Sequence, residues 1–160
     1  MSRANTLAKH IERTVTGPMW HGPALAQVLQ TVTHDRASTR PIAGTHTIWE
    51  IVLHVAVWAE IARARLKGQA TGDPTPEEDW PPVAATGLEE WRLAVERLGF
   101  SHRLLAADVR ELDDPQLDAS VAGLAYSVSV LLHGVVEHGT YHGGQIALLT
   151  RAAHTIATDG

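Results

Sequence analysis

The segment Leu132 to Leu149, LHGVVEHGTYHGGQIALL, constrains this chain more than any other. It sets His138 and His142 four residues apart, and residues at that spacing share one helix face. At about 100° per residue, His142 lies about 40° round from His138, and Gln145 about 20° to the other side. His133 is about 140° away by the same count, so it reads as a surface or packing residue. A third histidine, His54, interrupts another helical segment, IWEIVLHVAVWAE, between Leu53 and Val55, where an aliphatic side chain would suit. A lone histidine on an apolar face is usually satisfied by one hydrogen bond. Two from one helix and one from a facing helix instead form a three-nitrogen set with open positions, the arrangement of a catalytic rather than a closed structural metal centre. His54, His138 and His142 are therefore the candidate ligands of one divalent ion, and imidazole donors suit Zn and Ni among others.

The HxxxH spacing alone is weak, and the zincin signature is absent. HExxH proteases carry a general-base Glu beside the first histidine. Here Gly139 stands in that position, and Glu137 points about 100° away from the ligand stripe.

Apolar residues elsewhere recur at three and four, with few period-two runs, so the expected class is all-α. A first helix is expected over about Asn5 to Val15, and a short one over Ala24 to Thr31 with Pro23 in its first turn. A second main helix covers about His46 to Lys67. Thr45 or Thr47 caps it, Glu50 completes a capping box with Thr47, and Gly68 stops it. Gln69 to Gly87 carries Gly72, Pro74, Pro76, Pro81 and Pro82 and reads as a long structureless connection, pinned by Trp80. A third helix spans about Leu88 to Glu111, with Trp91, Val95, Leu98, Leu104, Leu105 and Val109 inward. The last runs from near Ser127 to about Ala153, followed by a frayed tail. Four long helices in 160 residues imply one domain, an antiparallel four-helix bundle whose facing side chains build the metal site.

Around the three histidines, the neighbours stay open between two roles. Gln145 either bonds a ligand imidazole or bridges helices. Tyr141 either supports His142 or packs the bundle. Trp58, one turn after His54, walls the site or belongs to the core with most of the five Trp residues. Glu50 shares the His54 stripe. His46 and His21 either line a cleft over the ion or cap helices. His10, His34, His102 and His154 read as surface residues. No residue is singled out as catalytic.

Composition removes several function classes. There is no Cys, so disulfides, thiolate ligands and a protein thiol nucleophile are excluded. A net charge of −5 with scattered basic residues opposes a nucleic-acid binder. The polar start MSRANTLAKHIERT has no secretory apolar region, and no run approaches a membrane span. A cytoplasmic protein bound to neither membrane nor nucleic acid is expected.

Four stretches together resemble the DinB (DinB/YfiT-like) family of metalloproteins: WHGP at Trp20 to Pro23, HTIWEIVLHVAVW at His46 to Trp58, DWPP at Asp79 to Pro82, and HGVVEHGTYHGGQIALL at His133 to Leu149. The resemblance covers about Asn5 to Ala153. It implies an up-down-down-up four-helix bundle and a divalent ion held by His54, His138 and His142. It also implies a homodimer. Some relatives are thiol S-transferases or thiol-dependent isomerases, and others have no known reaction. Two functions follow as expectations. One is a metal-dependent enzyme that activates water or a low-molecular-weight thiol against an electrophilic substrate. The other is a non-enzymatic module binding a metal or small ligand.

Overall fold

The computed structural model describes residues 2–158 in backbone and residues 2–153 in side chain. The described residues are helical and contain no strand. Four long helices dominate: α1 (Arg3–Thr16), α4 (Ile48–Leu66), α6 (Leu88–Arg110) and α8 (Val128–Thr158). Four one-turn helices sit between them: α2 (Leu25–Leu29), α3 (His34–Ala37), α5 (Pro76–Asp79) and α7 (Asp114–Asp118).

Local chemistry sets these ends. Thr47 accepts from the Glu50 amide while the Glu50 carboxylate accepts from the Thr47 amide, closing the expected capping box. Thr75 and Glu78 repeat that box at α5, and Asp113 and Gln116 at α7. These boxes turn two Pro-containing connections into helical turns, so the span 69–87 is not structureless throughout. α8 continues beyond Ala153 to Thr158, since no Gly or Pro interrupts the chain there. The end of the tail, Asp159 and Gly160, and the His154 side chain lie outside the described residues.

α6 and α8 each lie beside both α1 and α4, giving the ring α1–α6–α4–α8. Side-chain pairs fix the directions. Glu60 meets Arg97 and Lys67 meets Asp108, so α4 and α6 run the same way. His54 meets His138 while Arg65 meets Tyr126, so α4 and α8 run oppositely. Glu12 meets Arg110 near one end of α6, while Val15 and Thr16 border Leu93 to Arg103 further back, so α1 opposes α6. The order is up-down-down-up, with two antiparallel and two parallel neighbour pairs. No helix among the described residues is long and apolar enough to cross a membrane.

The core is split in two. One apolar cluster gathers Leu25, Leu29, Ile48, Val52, Trp91, Leu98 and Ile146. The other gathers Leu7, Ile11, Ala62, Leu105, Val109, Leu132 and Val135. Between them lies a layer of polar side chains, with buried Thr14 on α1, His54 on α4, Ser101 and His102 on α6, and His142 on α8. Buried polar groups without partners cost free energy, so this layer needs something to satisfy it.

His102 was expected at the surface. It is 1% exposed, because it follows Leu98 by four residues and precedes Leu105 by three on the inward stripe of α6. Its Nδ1 donates to the Leu98 carbonyl at 2.8 Å, and its Nε2 has no partner. The tryptophans also divide more sharply than expected. Trp49 and Trp91 are core, Trp58 and Trp80 are half-buried, and Trp20 is 98% exposed.

Candidate metal centre

The polar layer concentrates at the contact of α4 with α8. His54, His138 and His142 each offer a ring nitrogen, and these nitrogens all lie within 4.8 Å of one another. His54 Nε2 and His138 Nε2 are 2.9 Å apart. Side chains from one helix turn of α8 thus meet a third from α4, as the spacing predicts.

The far sides of two rings are tied off. His54 Nδ1 donates to the Asp79 carbonyl at 2.6 Å, which assigns its proton to Nδ1, since a carbonyl only accepts. His142 Nδ1 donates to Gln145 Oε1 at 2.7 Å. Each leaves Nε2 as a lone pair facing the cluster. Bonds of this kind fix tautomer and ring orientation in metal-binding histidines.

Electrostatics favour the same protonation state. Burial lowers the pKa of His54, against the pull of Asp79. Burial, with His142 and His54 alongside, pushes His138 down to about 3. Burial and His54 push His142 down to about 4, although the bond to Gln145 acts the other way. All three rings are neutral at pH 7, the form that ligates a cation. Three uncharged nitrogen donors, two of them with tautomers fixed by their Nδ1 bonds, form a set that can hold a metal ion.

The α4–α6 connection supplies parts of the site that sequence spacing does not show. Trp80 stacks on His54 with ring centroids 3.8 Å apart and on His46 at 3.5 Å, so it lies between the two imidazoles. Asp79 Oδ1 accepts from Trp58 Nε1 at 2.7 Å. The DWPP stretch carried both residues in the family resemblance, but nothing in their spacing points at a histidine 25 residues earlier.

The remaining expected residues divide. Trp58 does wall the site, with its ring centroid 5.7 Å from that of His138. Tyr141 packs edge-on to His142 and is largely exposed. His46 stacks on Trp80 and lines a second cleft together with His142 and Gln145, as one of its two expected roles required. Glu50 does not reach it, because its carboxylate serves the Thr47 cap, Arg40 and His46. His21 is exposed in the turn between α1 and α2 and lines neither cleft at the cluster. Gly139 reflects close packing of α8 on α1: a methyl there would sit 2.5 Å from Thr14 Cγ2. The position that holds the base in zincins has no room for one here.

The three histidines line one end of a cleft of about 520 Å³, walled also by Trp58, Val130, Leu131 and Val135. A helical bundle with neutral imidazoles converging at an open cleft defines a class of proteins suited to holding a metal within reach of small molecules. A family profile for the DinB superfamily matches residues 20–146, and the chain belongs to that superfamily. No curated protein and no solved structure gives a significant match.

Proposed function

We propose that His54, His138 and His142 hold one divalent ion, Zn or Ni, and that the protein is a metal-dependent enzyme acting on a small molecule in the adjoining cleft. One observation carries the reading. Three neutral imidazoles converge, two with their Nδ1 protons tied to Asp79 and Gln145, at the end of a cleft wide enough for a ligand. When bound, the ion would supply Lewis acidity, lowering the pKa of a water or of a low-molecular-weight thiol so that a nucleophile exists near neutral pH. The residues of the chain hold and orient. Asp79 and Gln145 fix the His54 and His142 rings, Trp80 covers His54, and apolar walls limit water. With no Cys in the chain, a thiol must arrive as cosubstrate. Thiol S-transfer and hydrolysis are the two reaction types this arrangement serves.

A second reading, a non-enzymatic metal or ligand-binding module, draws on Asp79. Among the described residues its carboxylate is the only acid lining the cleft, and Trp58 already engages it, so none of them offers a free carboxylate base to the cluster. The two readings diverge on whether the ion keeps an exchangeable position. Cobalt-loaded protein titrated with azide and with 2-mercaptoethanol should show saturable changes in its visible absorption. An absorption spectrum unmoved by either would mean a closed coordination sphere and would exclude the enzymatic reading.

A further inference from the structure

The same cleft contains a buried cation that the metal reading does not use. Arg65 is 4% exposed, yet it lines the cleft holding the three histidines. Its guanidinium lies over the Trp58 ring at 5.5 Å, and Trp58 in turn lies against His138. Trp58 therefore separates the guanidinium from the cluster by one side chain.

Arg65 is poorly neutralised. One terminal nitrogen donates to the Tyr126 hydroxyl at 2.9 Å and the other to the Gly72 carbonyl at 2.9 Å. Both acceptors are uncharged. The carboxylate paired with it, Asp73, stands 3.8 Å off and is 95% exposed, so solvent screens it, and Asp79 in the same cleft is engaged by Trp58 Nε1. Nε has no partner among the described residues. A buried guanidinium ordinarily takes a bidentate carboxylate. Here no carboxylate among the described residues meets it in that geometry. Tyr126 accepts from Arg65, which leaves its own hydroxyl proton free to donate to an anion.

We infer that Arg65 and Tyr126 form an anion subsite, and that the ligand of this cleft is a small carboxylate with an apolar body. The carboxylate takes the unused guanidinium hydrogens and the Tyr126 proton. The body lies along Val130, Leu131 and Val135, with its far end toward the histidines. The inference rests on this cleft being the working site proposed above. It does not require the ion to be present.

The test compares butyrate with its neutral isostere butyramide by NMR titration of the metal-free protein at constant ionic strength. Butyrate should bind at least about tenfold more tightly than butyramide, since a charge-assisted hydrogen bond is replaced by a neutral one. Arg65→Gln should weaken butyrate about tenfold and leave butyramide unchanged. Tyr126→Phe removes the donating hydroxyl and should weaken butyrate about fivefold. Equal affinity for the two probes, no butyrate binding, or wild-type butyrate affinity in Arg65→Gln would overturn the subsite. Should Arg65→Gln fail to fold, Tyr126→Phe decides: unchanged butyrate affinity overturns it. Zinc content of the wild type is measured separately. Charge discrimination without zinc binding would sink the metal reading and leave the subsite standing.

Discussion

Zinc added to the metal-free protein should raise its melting temperature by about 10 °C. A ligand that binds only the folded state at about a thousand times its Kd contributes about 4 kcal/mol. In a chain of this size each kcal/mol is worth about 2–4 °C. The folded state binds selectively because only folding brings His54 on α4 to His138 and His142 on α8. Without an ion, His54 Nε2 and His138 Nε2 face one another at 2.9 Å in a polar layer between two apolar clusters. Alanine at 54, 138 or 142 should give proteins that melt at the same temperature with and without zinc. His133→Ala, on an exposed part of α8, should keep the full rise. Calorimetry at matched protein concentration checks this. A rise that persists in the three variants would place zinc elsewhere.

The second large effect is acid sensitivity through His102. Burial pushes this imidazole down to about 4 in the folded protein, while the unfolded chain has the ordinary value near 6.5. Below about pH 6.5 the unfolded chain binds a proton that the folded protein does not. Stability present above that pH is therefore lost as the pH falls toward 4, by about 3 kcal/mol from this residue alone. His102→Leu removes the titrating ring and an Nε2 with no partner, at similar volume. The variant should match the wild type at pH 7 within about 1 kcal/mol and fall less steeply from pH 6.5 to 4. A residual slope remains from His54, His138 and His142, whose pKa values are also lowered. Urea midpoints measured across this range on metal-free protein decide it. Parallel curves for the two proteins would mean His102 does not stay neutral in the folded state.

Much of the architecture was readable because it depends on local pattern. The period of Ile48, Val52, Val55, Ala59 and Ala62 places α4, and its start at Ile48 lies two residues from the expected His46, with Thr47 as the cap of the two threonines considered. His138 and His142 are legible for the same reason, since a helix fixes which residues share a face. Readability ended where chemistry and pattern disagree. His102 occupies a core register with a polar side chain, and residue type misassigned it to the surface. Arg65 is buried at the end of α4 in the same way. Asp79 and Trp80 reach the site through the fold of the 67–87 connection, whose Thr75–Glu78 capping box is local but whose docking against His54 is not. Trp20 shows the reverse error: a large aromatic suits a core, but the turn that carries it points it outward.

The central claim is that three histidines from two helices hold one metal ion. Elemental mass spectrometry on untagged protein, beside the His54, His138 and His142 alanine variants, measures it most directly. About one divalent ion per chain in the wild type, and essentially none in each variant, is the expected result for a three-ligand site. Wild-type protein that carries no metal even after reconstitution, or variants that keep a full complement, would contradict it.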